Sequence, residues 1–157
     1  MAIRFFLLTV HPDTGIYLQH TDFEGRATWG KTFGKYADAD GNGHGTHCSG
    51  TIGGKLHGIA KKANLIAIKV LSDQGSGTYD DVIAGILFAG SEATRKNSTR
   101  SVASMSLGGP KSRAVEDALR AVVQAGVTFA VAAGNSNGAD ACACTLPFII
   151  FFSNVDA

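Results

Sequence analysis

NLIAIKVLSDQGSGTYDDVIAGILFAG, residues 64–90, is the stretch that decides the fold. Its first part, Leu65 to Leu71, is an apolar run broken only by one lysine, which predicts a strand buried on both faces. Thr78, with Asp81 three residues later, predicts the capped start of a helix. That helix is predicted to carry four apolar residues on one face, namely Val82, Ile83, Ile86 and Leu87. A buried strand followed by an amphipathic helix indicates a parallel α/β sheet.

The same alternation continues as far as residue 134. Val102 to Leu107 predicts a second strand, and the turn at Gly108-Gly109-Pro110 leads into a second helix that Gly126 closes as a cap residue. Val127 to Ala132 predicts a third strand. The inward face of the second helix is predicted to hold Val115, Ala118, Leu119, Val122 and Val123. The fold class is therefore α/β, a parallel sheet with flanking helices and with functional loops at the carboxyl ends of the strands.

Composition narrows the function classes. The 157 residues suffice for one domain, and 14 basic against 13 acidic residues leave a formal charge of +1. Since no block of like charge is present, neither nucleic acid nor a membrane is a predicted partner. The apolar runs Phe5–Val10 and Leu146–Phe152 are far shorter than the roughly 18 residues of a membrane-spanning helix, and the first has no signal-peptide cleavage site. The three cysteines, Cys48, Cys142 and Cys144, allow at most one internal disulfide.

Two glycine-rich motifs carry candidate chemistry. Asp13-Thr14-Gly15 supplies a carboxylate, and Gly41–Gly50, GNGHGTHCSG, supplies two histidines, His44 and His47. A carboxylate and an imidazole in separate tight turns are typical of an acid–base pair. His44 is predicted to open a helix, whose dipole disfavours the imidazolium ion. An imidazole that is kept neutral can serve as a general base.

Taken together, these motifs resemble the subtilisin-like serine proteases, and the run from Asp40 to Cys48 resembles the proteinase K-like branch. The resemblance extends from Asp13 to Asp140 and includes further blocks in the family's order: Gly58-Ile59-Ala60, Ile68-Lys69-Val70-Leu71, Ser104–Gly109 and Ala132-Ala133-Gly134-Asn135. It implies the subtilisin-like three-layer fold. It also implies that Asp13 orients His44, that His44 takes the proton of a serine, and that Asn135 donates to the oxyanion.

The resemblance also implies a substrate-binding segment and pocket wall, composed of Ser104, Ser106, Leu107, Gly108, Gly109, Ala133 and Gly134. Its main chain would pair with an extended peptide by strand addition. Glycine at 108 and 109 would leave room for a bulky substrate side chain. Polypeptides are therefore the implied partners, and the implied location is extracellular.

A nucleophile is not found among these 157 residues, because no serine lies in a Gly-Thr-Ser-Met-Ala setting, Ser106 included. We therefore expect a serine endopeptidase by family that is inactive as written, with the C-terminal half of the fold missing. The alternative is a non-catalytic half-domain that binds a peptide or a complementary chain. An uncovered sheet surface would also favour self-association.

Three segments are predicted: an atypical N-terminal segment at 1–12, a partial peptidase domain at 13–140 and an atypical tail at 141–157. Within the first, His11-Pro12 is expected to interrupt the apolar strand that leads into Asp13, since proline cannot donate to a central ladder.

Other binding patterns are incomplete. Gly25–Thr32 matches a phosphate loop, but no apolar strand precedes it and Trp29 would crowd the phosphate. Half of a calcium loop is present at Asp38, Asp40, Asn42 and Gly43, but Ser49 stands where a bidentate glutamate is required. Zinc bound by His44, His47 and Asp13 would lack a further firm ligand. No metal or cofactor is therefore predicted, although members of the family often bind structural calcium.

Overall fold

The structure, a computed structural model, describes residues 8–95, 101–132 and 149–152. Within these residues the strands are β1 (Leu8–Asp13), β2 (Ala27–Thr32), β3 (Asn64–Lys69), β4 (Ser101–Met105), β5 (Thr128–Ala132) and β6 (Ile149–Phe152). The helices are α1 (His44–Gly53), α2 (Tyr79–Arg95) and α3 (Arg113–Gln124), with a short 3-10 helix at Thr21–Phe23. The strands form one parallel sheet in the order β2-β3-β1-β4-β5-β6.

β1 occupies the middle of this sheet and runs through Pro12, so the expected interruption at His11-Pro12 is wrong. It pairs with β3 along its whole length but with β4 only as far as Val10, opposite Ala103. The Asp13 carbonyl accepts a hydrogen bond from the Val70 N–H on the β3 side. The backbone groups of successive strand residues point to opposite neighbouring strands, so the Pro12 nitrogen points toward β4. The pairing with β4 has ended there, and no N–H donor is required.

Helices cover both faces of the sheet. On one face, Ile66 and Ile68 of β3 and Val10 of β1 pack in a core with α2 and α3. On the other face, Leu65 and Ala67 pack with the 3-10 helix and with Ile52 of α1, among others. The prediction that β3 is buried on both faces is confirmed, and the three layers agree with the predicted fold class.

α2 begins as predicted, since the Thr78 hydroxyl accepts a hydrogen bond from the Asp81 N–H at 3.2 Å. Its predicted inward face is wrong at Leu87, which is 49% exposed. Small residues take the buried face instead, because the neighbouring elements approach closely: a Cβ at Gly85 would lie 2.4 Å from Val70 Cγ1. The face of α2 that packs closely against its neighbours is therefore rich in glycine and alanine, and Leu87 lies on the opposite, exposed side.

α3 follows the prediction more closely. Ala118, Leu119 and Val122 are buried, and Val115 and Val123 pack at the margin of the core. Gly126, just beyond the helix, has φ +97, a left-handed conformation that suits glycine. Among the described residues no helix is both long and apolar enough to cross a membrane.

Candidate active site

Asp13 is the last residue of β1 and is fully buried. Its Oδ1 accepts a hydrogen bond from the Thr14 N–H at 2.7 Å and lies 2.8 Å from Nδ1 of His44. His44 is the first residue of α1, which starts at the carboxyl edge of the sheet, as predicted. The fold thus joins two motifs that lie 31 residues apart in the sequence.

The pair is asymmetric in its exposure. The Asp13 side chain is 0% exposed, whereas that of His44 is 45% exposed. An Nδ1–H that donates to the carboxylate leaves Nε2 as the acceptor of a neutral imidazole. The nearest side-chain partner recorded for that nitrogen is Cys48 Sγ, at 3.9 Å. A half-exposed ring that is held by a buried carboxylate, with Nε2 as its accepting nitrogen, can accept a proton from a hydroxyl group.

His11 lies beside Asp13 on the same face of β1 and is also fully buried. Its Nε2 is 3.2 Å from Asp13 Oδ2. Burial disfavours the imidazolium, but the Asp13 carboxylate and the Cys48 thiol outweigh it and raise the pKa of His11 to about 9. Burial would likewise raise the pKa of Asp13, yet contacts with His11 and His44 hold it below its ordinary value. The buried carboxylate is therefore ionised.

Asp40 ties the two motifs together. Its Oδ1 accepts from the Thr14 hydroxyl and from the Gly43 N–H, each at 2.8 Å, and its Oδ2 accepts from the Thr46 N–H at 2.9 Å. Burial raises the pKa of this carboxyl, but the hydrogen bonds from Thr46, Gly43 and Thr14 lower it more. Sequence reasoning considered Asp40 only as half of a calcium loop. In the structure its oxygens are instead filled by N–H and O–H donors of the chain.

Lys69 supports the same region from β3. Its side chain is 1% exposed, and its ammonium group donates to the Thr14 carbonyl at 2.5 Å and to the Asp73 carboxylate at 2.8 Å. Asp73 in turn accepts from the Gly41 N–H at 3.3 Å. A charged lysine inside an apolar strand pattern was the signal for this role, because a buried ammonium needs acceptors.

The predicted substrate segment begins in β4, which pairs with β5 at Ser104 and Met105. Ser106 and Leu107 follow the strand and are half-buried, while Gly108 and Gly109 are exposed. β1 and β4 are parallel, so this segment leaves the sheet at the same edge as Asp13. A Cβ at Gly108 would meet no atom of the described residues within 4 Å.

The structure brings together some predicted site residues and is silent on others. Asp13 and His44 meet directly, whereas Ala133, Gly134 and Asn135 lie outside the described residues. The stretch that matches a phosphate loop forms strand β2 rather than a loop that opens a helix. His47 is exposed on α1.

A parallel sheet between helical layers, with a buried carboxylate holding an imidazole at its carboxyl edge, defines an α/β protein with a hydrolase-type acid–base pair. The profile of the peptidase S8 subtilase family matches residues 12–148. The chain belongs to the subtilase family, a family of serine proteases, as its motifs predicted.

Fungal proteases are among the most similar proteins. The chain is 57% identical over 141 residues to the subtilisin-like serine protease pepC of Aspergillus niger, a match that covers 83% of this chain and 26% of pepC. It is 55% identical over 141 residues to the subtilisin-like proteinase Spm1 of Pyricularia oryzae, covering 83% of this chain and 26% of Spm1.

Solved structures give the same fold. A cold adapted subtilisin-like serine proteinase superposes with a TM-score of 0.80 at 45% identity, covering 88% of this chain and 50% of the other. Sphericase superposes with a TM-score of 0.83 at 31% identity, covering 97% and 56%. The predicted fold class is thus confirmed. The matched region covers 26%, about a quarter, of the length of pepC and of Spm1.

The division of the chain at residues 12 and 140 stays a prediction.

Proposed function

We propose that this chain provides the acid–base half of a serine endopeptidase site, with Asp13 as the orienting carboxylate and His44 as the general base. The observation that carries the proposal is the 2.8 Å contact between Asp13 Oδ1 and His44 Nδ1, with the carboxylate buried and the ring half exposed. In peptide hydrolysis His44 would take the proton of a serine hydroxyl and return it to the leaving amine, while Asp13 stabilises the imidazolium.

The serine itself would come from polypeptide outside these 157 residues, which hold no Gly-Thr-Ser-Met-Ala motif. By itself the chain is then expected to hydrolyse peptides at a negligible rate. The oxyanion donor is assigned to Asn135 on the family resemblance. Extracellular location is likewise proposed from the resemblance and is tested by searching culture medium for peptides of this chain.

Polypeptide substrates are proposed to bind along Ser104–Gly109, and the family resemblance adds Ala133 and Gly134 to this site. The position of this segment supports the assignment, since it leaves the sheet at the same edge as Asp13 and is open around Gly108. Backbone groups at 106–109, which follow the end of β4, would pair with an extended peptide.

The test is complementation. The chain is purified together with the portion of Aspergillus niger pepC that follows the matched region, and hydrolysis of a chromogenic peptide is measured. We expect turnover that a serine-directed phosphonate abolishes. His44→Ala should remove this turnover. His47→Ala should retain it, because it changes an exposed histidine three residues further along α1. Equal turnover by both variants would refute the assignment of the base.

A second candidate is a non-catalytic half-domain that binds a peptide or a complementary chain, or that associates with itself. The match covers 50% and 56% of the two solved chains, so the rest of such a chain is the complement to test. Stable association without turnover in the same experiment would select this function. Sedimentation of the chain alone distinguishes self-association from a need for the complement.

A further inference from the structure

Three side chains of metal-ligating type meet between β1 and α1: His11, Asp13 and Cys48. One donor atom from each lies within 4.8 Å of the others. His11 and Asp13 are fully buried, and Cys48, a free cysteine, is half-buried. The complementation site above uses Asp13 and His44 and gives no role to His11 or Cys48.

The periodicity of the two elements explains the meeting. His11 and Asp13 are two residues apart in a strand, so their side chains point to the same face of the sheet. α1 packs against β1, and Cys48 lies one turn beyond His44 in that helix, on the same side of it. A carboxylate, an imidazole and a thiol therefore converge from two rigid elements rather than from a loop.

The buried atoms of this cluster are poorly satisfied. Among the described residues, both ring nitrogens of His11 and Oδ2 of Asp13 have no hydrogen-bond partner, and the 3.2 Å approach of Nε2 to Oδ2 lacks hydrogen-bond geometry. Buried polar atoms without partners are costly and uncommon. In a tetrahedral zinc site, bonds of about 2.0–2.1 Å place a nitrogen and an oxygen ligand about 3.3 Å apart. The observed separation fits that edge of the tetrahedron.

We propose that His11, Asp13 and Cys48 bind a zinc ion through Nε2, Oδ2 and Sγ. A donor set of nitrogen, sulfur and a single carboxylate oxygen suits zinc and excludes calcium and magnesium, which take oxygen ligands. With three protein ligands, one position of a tetrahedral zinc site would be left for water or another ligand. The proposed site departs from the prediction that no metal is bound.

His11 lies on β1, two residues before Asp13, so a single strand supplies two of the three ligands. With zinc on Oδ2, Asp13 Oδ1 would stay on His44 Nδ1, so one carboxylate would hold both the metal and the imidazole.

The first experiment measures zinc binding by calorimetry in a background of Cys142→Ser and Cys144→Ser, which removes the other two thiols. We expect one equivalent of zinc, with His11→Val and Cys48→Ala each weakening binding at least tenfold. His47→Ala is the control, because it removes an exposed histidine of α1 that lies outside the cluster, and it should leave the affinity unchanged. Unchanged affinity in His11→Val and Cys48→Ala would overturn the proposal.

A second measurement needs no variant that could fail to fold. Iodoacetamide alkylation of Cys48 is followed by peptide mapping of the native chain, with and without equimolar zinc. We expect zinc to slow alkylation of Cys48 at least tenfold, and cobalt to give the absorption band of a thiolate ligand. An unchanged alkylation rate together with no cobalt band would show that His11 and Asp13 form only a buried ion pair.

Discussion

Two regions at the carboxyl edge of the sheet differ in how they are built. The acid–base region, residues 13–15 and 40–46, is a polar network in which Asp40 and Lys69 bind the turn after β1. The substrate segment, Ser104–Gly109, ends in exposed glycines, and the contact recorded next to it is the Tyr79 hydroxyl donating to the Pro110 carbonyl at 2.7 Å. The first region fixes two side chains relative to one another. In the second, residues 106–109 make no backbone–backbone hydrogen bond to any other described residue. Proton transfer requires the former, and strand addition by a peptide requires the latter.

The largest effect is expected from Gly45→Ala in α1, which should disrupt the acid–base region. A Cβ at Gly45 would lie 2.1 Å from the Gly15 carbonyl oxygen, so the helix would be forced away from the turn after β1. We expect a loss of about 3 kcal/mol in the free energy of unfolding, measured by urea denaturation.

Its control is Gly50→Ala in the same helix, where a Cβ would meet no atom within 4 Å. Alanine favours a helix over glycine, so this variant should gain about 0.5–1 kcal/mol. Equal urea midpoints for the two variants would show that α1 is not packed tightly against the turn.

The next largest effect is expected from Asp40→Asn. In the wild type, both carboxylate oxygens accept hydrogen bonds, and the Thr46 N–H is one of the donors. In the variant the amide keeps one acceptor oxygen, and its NH₂ group would face donors instead of accepting from them. The expected loss is about 2 kcal/mol in the free energy of unfolding.

Asp38→Asn provides the matched control, because Asp38 is exposed and accepts from Thr32 alone among the recorded hydrogen bonds of the described residues. We expect it to change stability by about 0.5 kcal/mol or less. A loss of stability as large as that of Asp40→Asn would contradict the prediction that Asp40 stabilises the fold more than Asp38 does.

A smaller effect should appear as a dependence on pH. The folded-state pKa of Asp40 lies below the unfolded value of about 3.9, so its stabilisation is complete above that value and is lost as pH falls through the folded pKa. Unfolding of the wild type and of Asp40→Asn is compared from pH 7 to pH 3. The stability gap between them should narrow below about pH 4, and a gap that widens there would contradict the depressed pKa.

The smallest change in stability is expected for Gly108→Ala in the substrate segment. Within the part of the chain that the structure describes, a Cβ there meets no atom within 4 Å, so the free energy of unfolding should change by about 0.5 kcal/mol or less. The added methyl group should instead weaken binding of peptides with a bulky side chain in the complemented protein. A variant that melts early, with peptide binding intact, would place Gly108 in the packing of the fold rather than at the substrate.

Local patterns predicted the parts of the fold that depend on local chemistry. The start of α1 at His44, the buried strand at Leu65 and the Thr78 cap of α2 all follow from short-range spacing, and the structure has each of them. The pairing of Asp13 with His44 was reached through the family's motifs rather than through periodicity.

The errors concern relations between distant elements. Pro12 was expected to interrupt a central strand, because the sequence does not tell where the pairing with β4 ends. Leu87 was placed inside, because the close approach of β3 and α3 to α2 is a property of the packing. Asp40 was given no role other than that of a ligand in half of a calcium loop. Its hydrogen-bond donors include Thr14, 26 residues earlier, and Thr46, six residues later, and no local pattern joins them.

The position of β1 in the sheet also bears on synthesis of the chain. Its two neighbours, β3 and β4, are both made later, and β4 ends only at Met105. At translation rates of about 5–20 residues per second, the nascent strand waits roughly 5–20 s for both partners. During that time β1 lacks a partner on at least one side, whereas β3 can pair with β1 and β2, both made before it, as soon as it has been synthesised. Ribosome-bound chains halted before residue 101 should therefore recruit chaperones more strongly than chains halted well beyond Met105.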